Sequence, residues 1–185
     1  MELTEHEISS EVICEGRFLT LRRDRVRLPD GAEAMREYVE HPGAVAVLAL
    51  TDAGELIMER QYRYPLRREF LEIPAGKRDA GEAPETTARR ELLEETGYVA
   101  REWRFLGTAY PCIGYADEAI HYFLATGLRL EARALDDGEF LEVLSVPLPK
   151  VQQMALSGEI CDSKSIVGLH WLAAHQNGTL PGVPV

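Results

Sequence analysis

Three glutamates, Glu91, Glu94 and Glu95, fall within one short polar segment. If residues 84–96 form a helix turning about 100° per residue, the three share an arc of about 100°. Ala88 and Leu92 then lie beside them on a side suited to packing. Glu91 and Glu95 are an i, i+4 like-charge pair, which costs an isolated helix about 0.2–0.5 kcal/mol. Such a cluster beside a buried stripe is favourable where a cation meets it. A hard divalent cation suits it, because Mg²⁺ takes a few carboxylate oxygens and completes its shell with water and substrate phosphate. The competing reading is a solvated face, with Arg90 reaching Glu94 and Arg89 reaching Glu85.

The helix itself is well punctuated. Pro84 suits a first turn, where no amide donor is needed, and Gly97 suits the residue just past the end. Before it, the first forty residues read as strands. Residues 18–28 alternate apolar and charged side chains, Pro29-Asp30-Gly31 turns, and a second strand runs from Met35 to Val39, giving an exposed hairpin. Ala44 to Leu50 is a continuous apolar run, as in a strand buried on both faces. The turn at 51–54 makes residues 55–61 its expected hairpin partner, and a short strand at 70–73 is closed by Pro74-Ala75-Gly76. Strands follow at 103–109, 119–124 and 141–146, then helices at 149–157 and 163–175. In the last helix Ile166, Leu169 and Leu172 are expected to face the core. The order predicts an α+β fold with α/β/α layering and a mixed sheet, and a small N-terminal β appendage. The expected division is residues 1–41 and 42–185.

Composition narrows the function. The 185 residues carry 31 Asp and Glu against 20 Lys and Arg, a formal net charge of −11. Bulk electrostatic binding to nucleic acid or an anionic membrane is disfavoured, whereas a local phosphate site or a metal ion is not. The N-terminus lacks the basic start and apolar run of a secretory signal, and no run approaches the ~20 apolar residues of a membrane helix. The three cysteines, Cys14, Cys112 and Cys161, form no CxxC pair. They predict reduced thiols in a cytoplasmic protein. Cys112 with His121 is a conceivable nucleophilic pair that nothing else supports.

Read from Gly76, the order is five residues, Glu82, seven residues, Arg90-Glu91-Leu92, one residue, Glu94-Glu95, one residue, Gly97-Tyr98. This resembles the signature of the Nudix hydrolases, pyrophosphatases that cleave a nucleoside diphosphate linked to another group. All seven fixed positions match, and Tyr98 stands where the family usually has an aliphatic residue. The resemblance implies that Glu91, Glu94 and Glu95, with the Ala75 carbonyl, hold Mg²⁺ (or Mn²⁺ as a substitute). It also implies that Arg90 orients the carboxylates.

The segments MREYVEHPGAVAVLAL, ERQYRYPLRREFLEIPAGK and ICDSKSIVGLHWL extend the resemblance to the ADP-ribose pyrophosphatase branch. That branch releases AMP and ribose 5-phosphate from ADP-ribose. It implies a homodimer whose N-terminal β-region is exchanged between subunits. It implies substrate contacts at Arg36, Glu37, Arg63, Glu72 and Gly114. It also places a general base in the acidic loop at 136–140, where Glu139 is the choice and Asp137 the reserve; Glu94 and Glu95 stay in contention. Ile113 occupies the place of a proline common in ADP-ribose enzymes, which bears on substrate more than on reaction. A GDP-sugar, a dinucleotide polyphosphate or a nucleotide cofactor is the alternative substrate. A binding module without turnover is the alternative class.

Overall fold

The computed structural model describes residues 2–132 and 140–185. The chain divides into two compact units, Met1–Gly43 with Tyr110–Ala119, and Ala44–Ala109 with Ile120–Val185.

The first unit is an antiparallel sheet of β1 (His6–Glu15), β2 (Thr20–Arg27) and β3 (Glu33–Glu40), in that order. The hairpin read from the sequence is β2–β3, and β1 adds a third strand. Gly31, at φ 88°, and the Asp30 carboxylate, which accepts from the Ala32 amide at 3.0 Å, close its turn. Charged pairs tie the unit together: Arg23 of β2 meets Glu37 of β3 at 2.7 Å, and Arg36 of β3 meets Glu5, just before β1, at 2.5 Å. Residues 110–119 attach to the end of β3. The Val39 amide donates to the Tyr115 carbonyl at 2.9 Å, and the His41 amide donates to the Asp117 carboxylate at 2.8 Å.

The second unit holds a mixed five-stranded sheet. Its order is β11 (Val183–Pro184), β8 (Tyr98–Ala109), β9 (Ile120–Leu130), β4 (Ala44–Ala49), β7 (Ala75–Lys77). β4 and β9 are parallel and the other neighbours antiparallel. A second, antiparallel sheet sets β5 (Glu55–Arg63) between β10 (Leu141–Pro147) and β6 (Arg68–Glu72). Three α-helices lie among the described residues: α1 (Pro84–Thr96), α2 (Leu148–Ser157) and α3 (Ser163–Gln176).

The apolar run at 44–50 explains the layering. Val45, Val47 and Ala49 pack with Ala88 and Leu92 of α1 and with Trp103 and Phe123. Ala46 and Leu48 point the other way, to Val151 and Met154 of α2 and Leu169 and Leu172 of α3. A strand buried on both faces must be apolar at every position. Each large side chain so buried contributes about 1.5–3 kcal/mol.

Three local expectations are corrected. β4 and β5 are not hairpin partners in one sheet; they belong to different sheets, with an isolated bridge between Leu50 and Leu56 where one strand turns into the next. Pro74-Ala75-Gly76 does more than turn, since β7 begins there and pairs with β4. In α3, Ile166 faces outward, while Ser165, Gly168, Leu169 and Leu172 are buried.

Candidate active site

α1 begins at Pro84 and ends at Gly97, whose φ of 76° and amide bond to the Leu93 carbonyl complete a left-handed cap. Its buried stripe of Ala88 and Leu92 fixes the rotation of the helix, which turns Glu91 and Glu95 toward β7. Glu95 is itself buried, and one of its oxygens accepts from the Ala75 amide at 3.2 Å. The carboxyl group of Glu91 lies against the Cα of Gly76. Gly76 therefore does not serve as a turn residue here. It is the position without a side chain that leaves room for Glu91.

Arg90 organises the rest. Its Nη1 donates to Glu91 and to Glu94, each at 2.9 Å. Its Nε and Nη2 fork donates to the two oxygens of Glu82 at 3.2 and 2.9 Å, and Nη2 also reaches the Lys77 carbonyl at 3.2 Å. A planar guanidinium with five donors suits this work, where lysine would not. The Arg90 bond holds the Glu82 carboxyl down from its ordinary 4.5 to about 2, with Thr87 and the Asp79 amide assisting against some burial. Arg78 closes the loop by donating to the Glu82 carbonyl at 2.7 and 3.2 Å. Glu82 was visible in the sequence only as a pattern position. Its contact with Arg90 gives the spacing from Glu82 to Arg90 a physical role.

These residues suit a divalent cation in donor type, since Glu91, Glu94, Glu95 and the Ala75 carbonyl all offer hard oxygens. The space that a Cβ at residue 76 would fill is taken by one of those carboxylates. Among the described residues no three histidine, cysteine or acidic side chains already converge as a metal cluster. Arg90 instead holds Glu91 and Glu94 by a shared nitrogen.

A second polar array lies on β5 and β6. Arg63 donates to both oxygens of the buried Glu72, from Nε at 2.7 Å and from Nη2 at 2.8 Å. Lys164 of α3 donates to the same carboxylate. Burial pushes the Glu72 carboxyl up, but the Arg63 bond and the Lys164 charge outweigh it, so the group lies below its usual range. Lys164 was not among the expected site residues, because no local spacing links it to Glu72.

The remaining expected site residues lie elsewhere. Arg36 and Glu37, on β3 of the first unit, are engaged with Glu5 and Arg23. Gly114 belongs to the 110–119 segment of that unit, beside the exposed Ile113. Glu139 and its reserve Asp137 lie outside the described residues. His121 shares a hydrogen with Thr108 at 2.9 Å; burial and the Arg78 charge push its pKa down.

Comparison with known proteins accords with this geometry. The model of the NUDIX domain matches residues 40–169, and that of the nucleoside diphosphate sugar hydrolase N-terminal domain matches residues 5–39. An ADP-ribose pyrophosphatase of Bacillus subtilis is 46% identical over 92% of this chain and 93% of its own. A methanol dehydrogenase activator of Bacillus methanolicus is 42% identical over 91% and 92%. An ADP-ribose pyrophosphatase of Mycobacterium tuberculosis is 41% identical over 94% and 86%. The crystal structure of an ADP compounds hydrolase superposes with a TM-score of 0.84 at 21% identity, covering 97% of this chain and all of that one.

Proposed function

The chain belongs to the NUDIX domain family and is a Nudix hydrolase, and from that premise we propose that it cleaves the pyrophosphate of ADP-ribose to AMP and ribose 5-phosphate. The observation that carries the reaction is the Arg90 guanidinium, which gathers Glu82, Glu91 and Glu94 beside Gly76. The substrate rests on similarity to two ADP-ribose pyrophosphatases at 46% and 41% identity over most of the chain.

In the mechanism we propose, Glu91, Glu94 and Glu95, with the Ala75 carbonyl, would hold Mg²⁺, with Mn²⁺ as a substitute, and the ion would supply positive charge against the phosphates. Arg90 fixes the directions of Glu91 and Glu94, and Glu82 fixes Arg90. The Ala75 amide holds Glu95. A carboxylate takes the proton of the attacking water; Glu139 is the assigned base and Glu94 the next, since Glu94 is more exposed than Glu95. Water forms a new bond to one phosphorus, and the bridging oxygen leaves with the other phosphate. Arg63 and Glu72 are proposed to bind the nucleotide, and Arg36, Glu37 and Gly114 are proposed as further substrate contacts.

We further propose a homodimer that exchanges residues 1–41, a region whose β1 is exposed along nearly its whole length. A cytoplasmic location fits three free thiols. No helix among the described residues is long and apolar enough to cross a membrane.

A chromatographic assay tests the proposal. Purified protein with ADP-ribose and Mg²⁺ is expected to release AMP, and EDTA to stop it. Cleavage of a GDP-sugar or dinucleotide polyphosphate with ADP-ribose left intact would overturn the substrate but keep the reaction. Tight ADP-ribose binding with no product would overturn both.

A further inference from the structure

We infer that Lys164, at the start of α3, is a positioning residue that holds Arg63 in its substrate-facing orientation through Glu72. This rests on the proposed role of Arg63 as a nucleotide contact.

Glu72 is 3% exposed and stands directly opposite Glu59, itself 4% exposed, in the β5–β6 ladder. Two buried carboxyl groups placed opposite one another are costly to ionise and need cations nearby. Two cations reach Glu72. Arg63 spans both oxygens with Nε and Nη2, and Lys164 Nζ donates to the oxygen that Nη2 also uses. Arg63 thus presents one edge to Glu72, while Nη1 makes no hydrogen bond among the described residues. The Arg63 side chain is 42% exposed, so the other edge is open to a ligand.

The ammonium of Lys164 is set by the fold rather than by its own flexible stem. The Asp162 carboxylate accepts from Lys164 at 3.0 Å and from the Ser165 amide at 3.0 Å, capping α3. The buried Ser165 hydroxyl accepts from the Ile73 amide at 3.0 Å. Adjacent residues of the β6 end, Glu72 and Ile73, are therefore fastened to the first turn of α3 by side chain and by backbone. Without Lys164, the burden of compensating Glu72 falls on Arg63 alone. The guanidinium is then drawn inward, and its ligand-facing edge is lost. The cost falls on substrate binding rather than on the chemical step.

Steady-state kinetics of Lys164→Met and Lys164→Arg test this, each also in an Arg63→Met background. Lys164→Met is expected to raise KM about tenfold with kcat changed less than about threefold, and Lys164→Arg to recover most of the loss. In the Arg63→Met background the same change is expected to cost less than about twofold, because the two residues act as one unit. Equal losses in both backgrounds, or a loss in kcat alone, overturn the inference. A second readout needs no turnover: solvent exchange of the Arg63 Nε–H, which donates to Glu72, is followed by nitrogen-15 NMR and is expected to slow several-fold in Lys164→Met as the guanidinium is drawn inward. Unchanged exchange overturns the inference as well. If wild-type protein leaves ADP-ribose intact, the substrate proposal fails, and this exchange measurement alone decides the part played by Lys164. Should Lys164→Met not fold, Lys164→Gln keeps a donor and is read in the same way.

Discussion

The carboxyl group of Glu91 rests on the bare Cα of Gly76, so closely that a Cβ there would lie 1.9 Å from Glu91 Cδ. Two residues fifteen positions apart thus share one small volume, and the carboxylate takes it. Gly76→Ala is expected to displace Glu91 and to lower kcat/KM by about 100-fold or more, as loss of a positioned charge does. The displaced atoms end a flexible side chain, so stability should change by less than about 1 kcal/mol. Kinetics beside thermal unfolding check both halves; a large loss of stability with activity retained would contradict the assignment.

Arg90→Met removes the donors from three carboxylates at once. Charge-assisted hydrogen bonds contribute about 1.5–3 kcal/mol, and partial exposure of this group places the cost toward the lower end. The acid limb should change too. Glu82 titrates at about 2 in the folded protein against an ordinary 4.5. Its contribution is complete above the ordinary value and is lost as pH falls through that window, because the unfolded chain binds the proton first. Denaturant unfolding across that range should show a steeper fall in stability for wild type than for Arg90→Met.

Glu139→Gln, Glu94→Gln and Glu95→Gln separate the base from the metal carboxylates. Loss of a general base costs about 10²–10⁴ in rate and removes the acidic limb of the pH–rate profile. Glu139→Gln is expected to lose that limb. Glu94→Gln is expected to keep it and to need more Mg²⁺ for half-maximal rate. Glu95→Gln should cut turnover by orders of magnitude while the protein stays folded, because the amide oxygen still accepts from Ala75.

Ile113 is 84% exposed, so its replacement should leave stability within about 0.5 kcal/mol. Ile113→Pro is expected to raise the preference for ADP-ribose over a GDP-sugar by about tenfold, read as the ratio of kcat/KM values. An unchanged ratio would remove Ile113 from the specificity of the enzyme.

Local signals carried the helix and its carboxylates. Pro84 and Gly97 act on their own backbone, so the bounds of α1 agree with the expectation to the residue. The apolar run at 44–50 announced burial on both faces, but it does not say which strand lies beside it. β9, its parallel neighbour, starts some seventy residues later. In α3 the expected stripe at intervals of three drifts around the helix. The buried set, Ser165, Gly168, Leu169 and Leu172, follows the i, i+3, i+4, i+7 rule and was hidden by its small members. Gly168 is small for cause: a Cβ there would come within 3.0 Å of Ile73. The contacts of Arg63 with Glu72 and of Glu72 with Lys164 join β5, β6 and α3, and only the folded chain brings them together.

Residues 110–119, hydrogen-bonded to Val39 and His41, make the first unit discontinuous. The backbone leaves or enters that unit at three places, not one. A module joined at a single peptide bond can be traded between genes by one crossover; this one cannot. Recombination after Gly43 would bring in a foreign β3 while leaving the native Tyr115 and Asp117 to find partners on it. The strand that bears Arg36 and Glu37 and the segment that bears Ile113 and Gly114 are thereby tied into one unit of inheritance. Substrate preference in this enzyme should therefore drift through paired changes on both, rather than be acquired by domain shuffling.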